Sequence, residues 1–464
     1  MNSKKSEWIH FIGIGGAGMS GIAKVLLELG YRVSGSDLHT SEATERLNQS
    51  GAQVFIGHKA ENVQEGVDTV VISSAIPEKN TEIQRAKKLN IPVIQRAEML
   101  SKLMEKQKAI CIAGAHGKTT TTSMIASVLE KNNFDPTIVV GGELNDIGGN
   151  AKLGRGEYLV AEADESDGSF LKLKPWSTVI TNIENDHLDH YGSMDKIIDA
   201  FKDFVNLGSP EGFTVLCVDN FFVRQLLEHV PGKLITYGLK EKAHYMAKNI
   251  IHHGLGTRAE VYYKEELLGF LELKVPGKHN IINALAAIAV GRELGLTFQE
   301  IVEVLKDFQG AQRRFQVLGT VNNILVVDDY AHHPTEIKAT LEAARNSHSG
   351  RIVVVFQPHR YTRTKFLAEE FAQSFNEADL LILDDIYAAG EKPIPGVSVQ
   401  NIMDNLPDTV NAKYIKGREA IVEYLLTIVK PGDLVLTLGA GDVWKAGVEL
   451  LEVISQQENL KASV

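Results

Sequence analysis

The chain has 464 residues, 44% of them hydrophobic and 23% charged, a length that predicts two to four globular domains rather than one core. Its formal net charge of −11, from 48 Lys+Arg against 59 Asp+Glu, argues against a general nucleic-acid binder and against an anionic membrane surface as partner. Two cysteines, Cys111 and Cys217, make neither a disulfide framework nor a metal site by themselves and fit a reducing compartment.

In chain order, the first lysines and apolar residues resemble a signal peptide until glycines split the stretch and a helix pattern follows, so none is expected. No apolar run reaches the roughly 18 residues of a membrane span. Residues 9–14, IHFIGI, read as a buried strand, SGIAKVLLELG as a helix closed by Gly30, and YRVSGSD as the second strand. VDTVVISSAI and IPVIQ read as further parallel strands, a Rossmann-like βαβ layout that ends near residue 106. KAICIAGA opens a second section. In it EYLVAEAD and PWSTVITNIEND are strands ending in acidic residues, and HNIINALAAIAVGRELG is a helix closed by glycine. Residues 212–275 mix short strands and polar turns without a clear pattern. Near residue 312 a third section starts. VNNILVVDDYAHHPTEI, GRIVVVFQPHR, ADLLILDDIY and GDLVLTLGAGD each place polar residues at the carboxyl end of a strand, where open parallel sheets bind ligands. The expected architecture is α/β with three domains: 1–106 Rossmann-like, 107–311 a P-loop ATPase-like, mostly parallel sheet, and 312–464 Rossmann-like.

Residues 111–124, CIAGAHGKTTTTSM, carry the sharpest chemistry. Gly114 and Gly117 let the backbone curl and aim N–H groups at phosphate oxygens, and the helix that follows adds its positive end, with Thr120 in its first turn. Lys118 is placed for the terminal phosphates and Thr119 for Mg²⁺. The strict GxxxxGK[ST] pattern fails, because Ile112 occupies its first glycine position; the shorter GxxGKT after a strand survives. Glu162 and Asp164 end one later strand, and Glu184, Asp186, His187 and Asp189 follow the next. Glu162 suits a hard cation and His187 a second one. Upstream, Gly13, Gly15 and Gly18 form GxGxxG, with Asp37 ending the next strand, where an acid can bind ribose, and Ser73 and Ser74 ending a later one. That pattern seats a diphosphate, either of NAD or of a nucleotide sugar. A dehydrogenase reading leaves GAHGKTT unexplained, and a nucleotide-gated sensor would need no amide chemistry.

These motifs, with SSAIP, TNIENDHLDHYG, GKHNIINALAA, RRFQ, VDDYAHHPTEI, FQPHRYTRT and GAGD, resemble the Mur ligases over nearly the whole chain. The resemblance implies that Gly15, Gly16 and Gly18, with Asp37, Ser73 and Ser74, grip a UDP-linked substrate. It implies that Gly114, Gly117, Lys118, Thr119 and Thr120 hold ATP, with Asn283 and His279 near adenine and Arg314 and Asp329 reaching ATP from the last domain. Thr119, Glu162 and His187 are the implied Mg²⁺ ligands, and Tyr330, His332, Arg360 and Arg363 the implied residues near substrate carboxylate, phosphate or amino acid. Lys118, His187, Arg314 and His332 are the implied catalytic set. His332 and His333 also fit as caps of a helix starting near Thr335. Ala115 and Ala331 replace residues usual in the family, small for small, and Lys202 is given no role. VVGGELNDIGGN looks more like the alanine-adding branch than the peptide-recycling one. The resemblance therefore implies an ATP-dependent ligase acting on UDP-N-acetylmuramate and L-alanine. It further implies a cytoplasmic bacterial protein, monomer or weak homodimer, with no nucleic-acid partner and no stable membrane insertion.

Overall fold

The computed structural model describes residues 6–144 and 149–462; residues 145–148 of VVGGELNDIGGN and the side chain of Asp189 lie outside that description. Three sheets are built in chain order. The first comprises β1 Trp8–Ile12, β2 Arg32–Asp37, β3 Gln53–Ile56, β4 Thr69–Ile72 and β5 Val93–Gln95, in the order β3-β2-β1-β4-β5 and parallel throughout. Its direction of growth reverses at β1/β4, the crevice position where open α/β sheets take ligands.

The second sheet is ten-stranded. Its parallel heart is β6 Lys108–Ala113, β9 Tyr158–Glu162, β10 Ser177–Ile180, β11 Phe213–Cys217 and β12 Lys233–Gly238. β7 Thr137–Leu144 pairs parallel to β9 and antiparallel to β8 Gly149–Lys152. At the other edge follow β13 Tyr245–His253, β14 Gly256–Tyr263 and β15 Glu266–Leu273. Together with β11 and β12 these three strands account for residues 212–275, and burial alternates along most of β14, as on a sheet with one covered face.

The third sheet has the order β16-β17-β21-β18-β19-β20, from β16 Gln316–Val321, β17 Ile324–Asp329, β18 Ile352–Phe356, β19 Leu380–Leu383, β20 Ala412–Tyr414 and β21 Leu434–Leu438. Only β16 runs antiparallel, to β17. Central strands such as IVVVF and LVLTL are buried along their whole length, which is why they read as continuous apolar runs rather than alternating ones.

The chain packs as two compact units, Met1–Lys248 with Val261–Gly269 and Ile282–Leu305, and Asn249–Glu260 with Phe270–Ile281 and Lys306–Val464. Helices cover the sheets through apolar stripes. In Met194–Asn206, capped by the Ser193 side chain, Ile197, Ile198, Phe201, Phe204 and Val205 are buried at helical spacing. Cys111 and Cys217 are buried free thiols. Among the described residues no helix is long and apolar enough to cross a membrane.

Candidate active site

In the first unit, β6 runs into the turn Gly114–Gly117 and then the helix Lys118–Lys131. Gly117 has φ 78° and Gly114 φ 141°, and a Cβ would stand 2.7 Å from Asn283 Oδ1 at the first and 2.1 Å from Thr181 Oγ1 at the second. Both positions therefore require glycine. The turn is braced from the end of β10. Asn182 Oδ1 accepts from His116 N (2.8 Å), while Thr181 Oγ1 and Asn182 Nδ2 donate to His116 O (2.6 and 2.9 Å). The first bond of the helix runs from Thr121 N to Gly117 O, so the N–H groups of Lys118, Thr119 and Thr120 have no acceptor within the helix and make an anion-binding end. Thr120 contributes only backbone there, since its side chain is buried. Asn283 Oδ1 accepts from Thr121 Oγ1 (3.2 Å), which ties its helix to the same turn.

Lys118 Nζ donates to Gly114 O (2.5 Å), Ala115 O (3.2 Å) and Glu165 Oε1 (2.8 Å). Burial opposes its charge, but Glu165 and Glu162 more than offset that and hold the ammonium above the ordinary lysine value. Burial pushes Glu165 up to about 7, against the pull of Lys118, and its Oε2 is buried without a partner. Sequence reasoning passed over Glu165. Only the position of EADESD at a strand end hints at it. Thr119 Oγ1 lies 3.2 and 3.1 Å from the two carboxylate oxygens of Glu162, and Gly141 N donates to Glu162 Oε2 (2.8 Å). One hydroxyl and one oriented carboxylate, beside a phosphate-binding turn, is the hard-oxygen donor set that Mg²⁺ takes when phosphates complete its shell, so the residues fit that ion. His187 has φ 61°, and its Nε2 lies 3.9 Å from Glu165 Oε1 and 3.6 Å from Asp186 Oδ2. Lys202 pairs with Asp199 (3.1 Å) instead.

The glycine turn after β1 belongs to the same unit. Asp37 accepts from Gly15 N (2.9 Å) through Oδ2 and from Leu38 N (2.8 Å) through Oδ1, so its first task is to shape the turn. Ile76, from the Ser73–Ser74 loop, packs on Gly13. Arg96 lies against Gly18 and donates to Asp164 Oδ2 (3.0 Å), joining this turn to the end of β9. Beneath the turn, Ser36 O accepts from Gly13 N (2.8 Å) and Ile14 N (3.0 Å). Ser36 itself is anchored by Glu82, which is fully buried. Glu82 accepts from Ser36 Oγ (2.8 Å), His10 Nε2 (3.0 Å), Asn62 Nδ2 (2.8 Å) and Lys59 N (3.1 Å). A carboxylate can only accept, so His10 Nε2 carries the proton, and in the neutral ring Nδ1 accepts from Ser34 Oγ (2.9 Å).

The second unit gathers its polar residues after β17, β18 and β21. Asp329 is buried, with both oxygens taken by Phe315 N (2.8 Å) and Ala331 N (2.7 Å), and burial pushes it up to about 6. Arg313, not singled out in the sequence, clamps the carboxyl ends of two strands through Asp328 (2.9 Å), Gly439 O (2.7 Å) and Gly441 O (3.0 Å). Arg314 pairs with Glu336 (3.2 Å) and lies over the Tyr330 ring. His333 caps the helix Pro334–Ser347. His332 turns away to Tyr330 O (2.9 Å), and because a carbonyl only accepts, Nδ1 bears the proton and Nε2 is the basic nitrogen. Burial pushes His332 down to about 3 and the half-buried His279 to about 4. The His332 ring sits 5.4 Å from Tyr330 and 5.7 Å from His359, and Arg363 donates to His359 Nδ1 (3.3 Å). Arg360, at φ 71°, starts the helix Tyr361–Ala372 beside them.

Three family descriptions match in chain order: "Mur ligase family, catalytic domain" over residues 8–108, "Mur ligase middle domain" over 112–291 and "Mur ligase, glutamate ligase domain" over 313–441. The chain is 54% identical to the UDP-N-acetylmuramate–L-alanine ligase of Desulforamulus reducens, over 98% of this chain and 99% of that one. It is likewise 54% identical to that of Pelotomaculum thermopropionicum, with 98% and 99% covered. Among solved structures it resembles a UDP-N-acetylmuramate-alanine ligase of Thermotoga maritima, at 32% identity and TM-score 0.82, covering 97% of this chain and 99% of that one. The phosphate turn, the glycine turn and the polar strand ends thus sit in a chain that belongs to the Mur ligase family.

Proposed function

We propose that this protein is an ATP-dependent ligase that joins L-alanine to the lactyl carboxylate of UDP-N-acetylmuramate, through an acyl phosphate, with release of ADP and phosphate. The observation that carries the reading is Lys118 beside Thr119 and Glu162 on a strand–turn–helix phosphate site, in a chain 54% identical to ligases of that name. The three domains 1–106, 107–311 and 312–464 divide the work, as substrate-gripping, ATP-binding and amino-acid-binding parts.

Amide formation from a carboxylate in water is uphill, and the coupling to ATP makes phosphate the leaving group. The lactyl carboxylate attacks the γ-phosphorus, the amine attacks the acyl carbon, and the tetrahedral intermediate collapses with loss of phosphate. Positioning and charge stabilisation are the protein's share. Lys118 exchanges Glu165 for phosphate oxygens, and the N-terminal N–H groups of its helix bind the same anion. Thr119 and Glu162 hold Mg²⁺, which neutralises phosphate charge when bound. Gly15, Gly16 and Gly18 seat the UDP diphosphate, with Arg96 locked behind them. Arg360 and Arg363 hold the amino-acid carboxylate beside Tyr330, and His187 and His332 are the two candidate acceptors of the amine proton.

Phosphate release in the presence of UDP-N-acetylmuramate, ATP, Mg²⁺ and a panel of amino acids tests all of this together. L-Alanine should support turnover best. No phosphate, or a tripeptide preferred to free alanine, overturns the reading in favour of a different ligase of the family. Sedimentation of the active protein is expected to show monomer or weak homodimer.

A further inference from the structure

The first unit holds a cavity of about 290 Å³ that the ligase reading does not use. Glu7, Ile9 and Thr69 place it at the amino ends of β1 and β4, and Thr137 and Leu159 at those of β7 and β9. The glycine turn and the phosphate turn follow the carboxyl ends of their strands, at the opposite end. Its wall is apolar, formed by Ile9, Leu26, Leu29, Leu103 and Leu159. Leu29 is 39% exposed, so the wall reaches solvent there.

One helix stripe sets the character of the opening. Met99, Lys102, Leu103 and Lys106 line the cavity at i, i+3, i+4 and i+7 along Arg96–Met104 and the residues just past it. The apolar members of the stripe belong to the wall, and the lysines, one turn apart, stand at the rim with Arg155. Lys102, Lys106 and Arg155 are all exposed, and none makes an ion pair among the described residues. Among the lining residues these three cations stand against one carboxylate, Glu7, with Glu105 near Lys102 and Asp135 near Arg155 just outside the lining, in a chain whose net charge is −11. An apolar cavity near the lower end of the ~300–1,000 Å³ ligand range, rimmed by cations, selects an apolar body with a negative head. The segment between that helix and β6 closes one side, where Gln107 Nε2 donates to Gly156 O (2.8 Å) and Tyr158 O (3.2 Å).

We propose that this cavity binds an amphiphilic anion, an alkyl or isoprenoid chain of medium length carrying a carboxylate or phosphate head. Calorimetry on the full chain tests it, using decanoate, decyl phosphate, decanol and decyltrimethylammonium, each below its micelle concentration. Both anions should bind saturably at one site, decanol about tenfold more weakly, and the cation not at all. Tighter binding of decyl phosphate supports the proposal and assigns a phosphate head; equal or tighter binding of decanoate supports it and assigns a carboxylate. Leu29→Trp should block the anions, and the double variant Lys102→Glu, Lys106→Glu should weaken them about tenfold, with basal turnover unchanged in both. Absence of saturable heat, binding of the cation as tight as that of the anions, or binding that survives both variants overturns the proposal.

Discussion

The buried carboxylate of Glu82 should govern both the stability of the first sheet and the grip on the sugar nucleotide. It accepts four hydrogen bonds with no exposure to solvent, and Ser36, one of its donors, holds Gly13 N and Ile14 N through its carbonyl. In Glu82→Ala, four donors lose their acceptor in a dry site, and by the scale of a broken buried pair this costs about 3–5 kcal/mol of local stability. In Glu82→Gln the amide oxygen can still serve Asn62 and Lys59, and its N–H₂ can face His10 once the ring changes tautomer, so the cost falls to about 1 kcal/mol. Burial alone would raise this carboxyl, but His10, Asn62 and Ser36 more than reverse that and hold it below its ordinary 4.5. The folded value is depressed, so the contribution is present above pH 4.5 and is lost as pH falls through the folded value; Glu82→Gln should flatten that acid limb. Hydrogen exchange of the peptides covering β1, β2 and β4 reads the stability, and steady-state kinetics reads KM for UDP-N-acetylmuramate against kcat. Glu82→Ala should lose protection in all three strands and raise that KM about tenfold or more, with the KM for ATP within about twofold. Unchanged protection together with an unchanged KM would refute the reasoning.

Lys118→Ala should cut turnover at least ~100-fold, measured as ADP formation, because the charge that offsets two approaching anions is gone; near-normal turnover removes its assigned role. Glu162→Gln, and Thr119→Ala less severely, should raise the Mg²⁺ concentration for half-maximal rate by about 10–100-fold, read from a metal titration after chelation. For His332 and His279 the folded values, about 3 and about 4, lie below the ordinary 6.5. The unfolded chain therefore binds more protons between those values, and stability of the second unit is lost as pH falls below 6.5. Thermal unfolding of His279→Asn with His332→Asn across pH 7.5 to 5 should show a shallower loss than the parent; an identical slope counts against it.

What the sequence disclosed and what it withheld divide along physical lines. Continuous apolar runs such as IVVVF disclose parallel strands, because burial on both faces leaves only one kind of residue. Gly114, Gly117, Lys118 and Thr119 are adjacent in sequence, so a local turn expresses their chemistry without help from the fold. The meander β13–β15 is hidden because its period-2 signal is diluted by exposed lysines, histidines and glycines. Pairings between distant strand ends are hidden more deeply. Glu165 against Lys118, Arg96 against Asp164, and Glu82 against His10, Ser36 and Asn62 join residues 47, 68 and 20–72 positions apart, and no local spacing encodes them. Even residues singled out in the sequence acquire a different task there. Asp37 and Asp329 stand at strand ends where an acid can meet a ligand, yet each spends its oxygens on backbone N–H groups of its own loop. The motif thus names the loop proposed to bind the ligand, while the loop's shape is set by carboxylates bonded to its own backbone. That separation explains why Glu82, with no exposed atom, is expected to move KM for the sugar nucleotide.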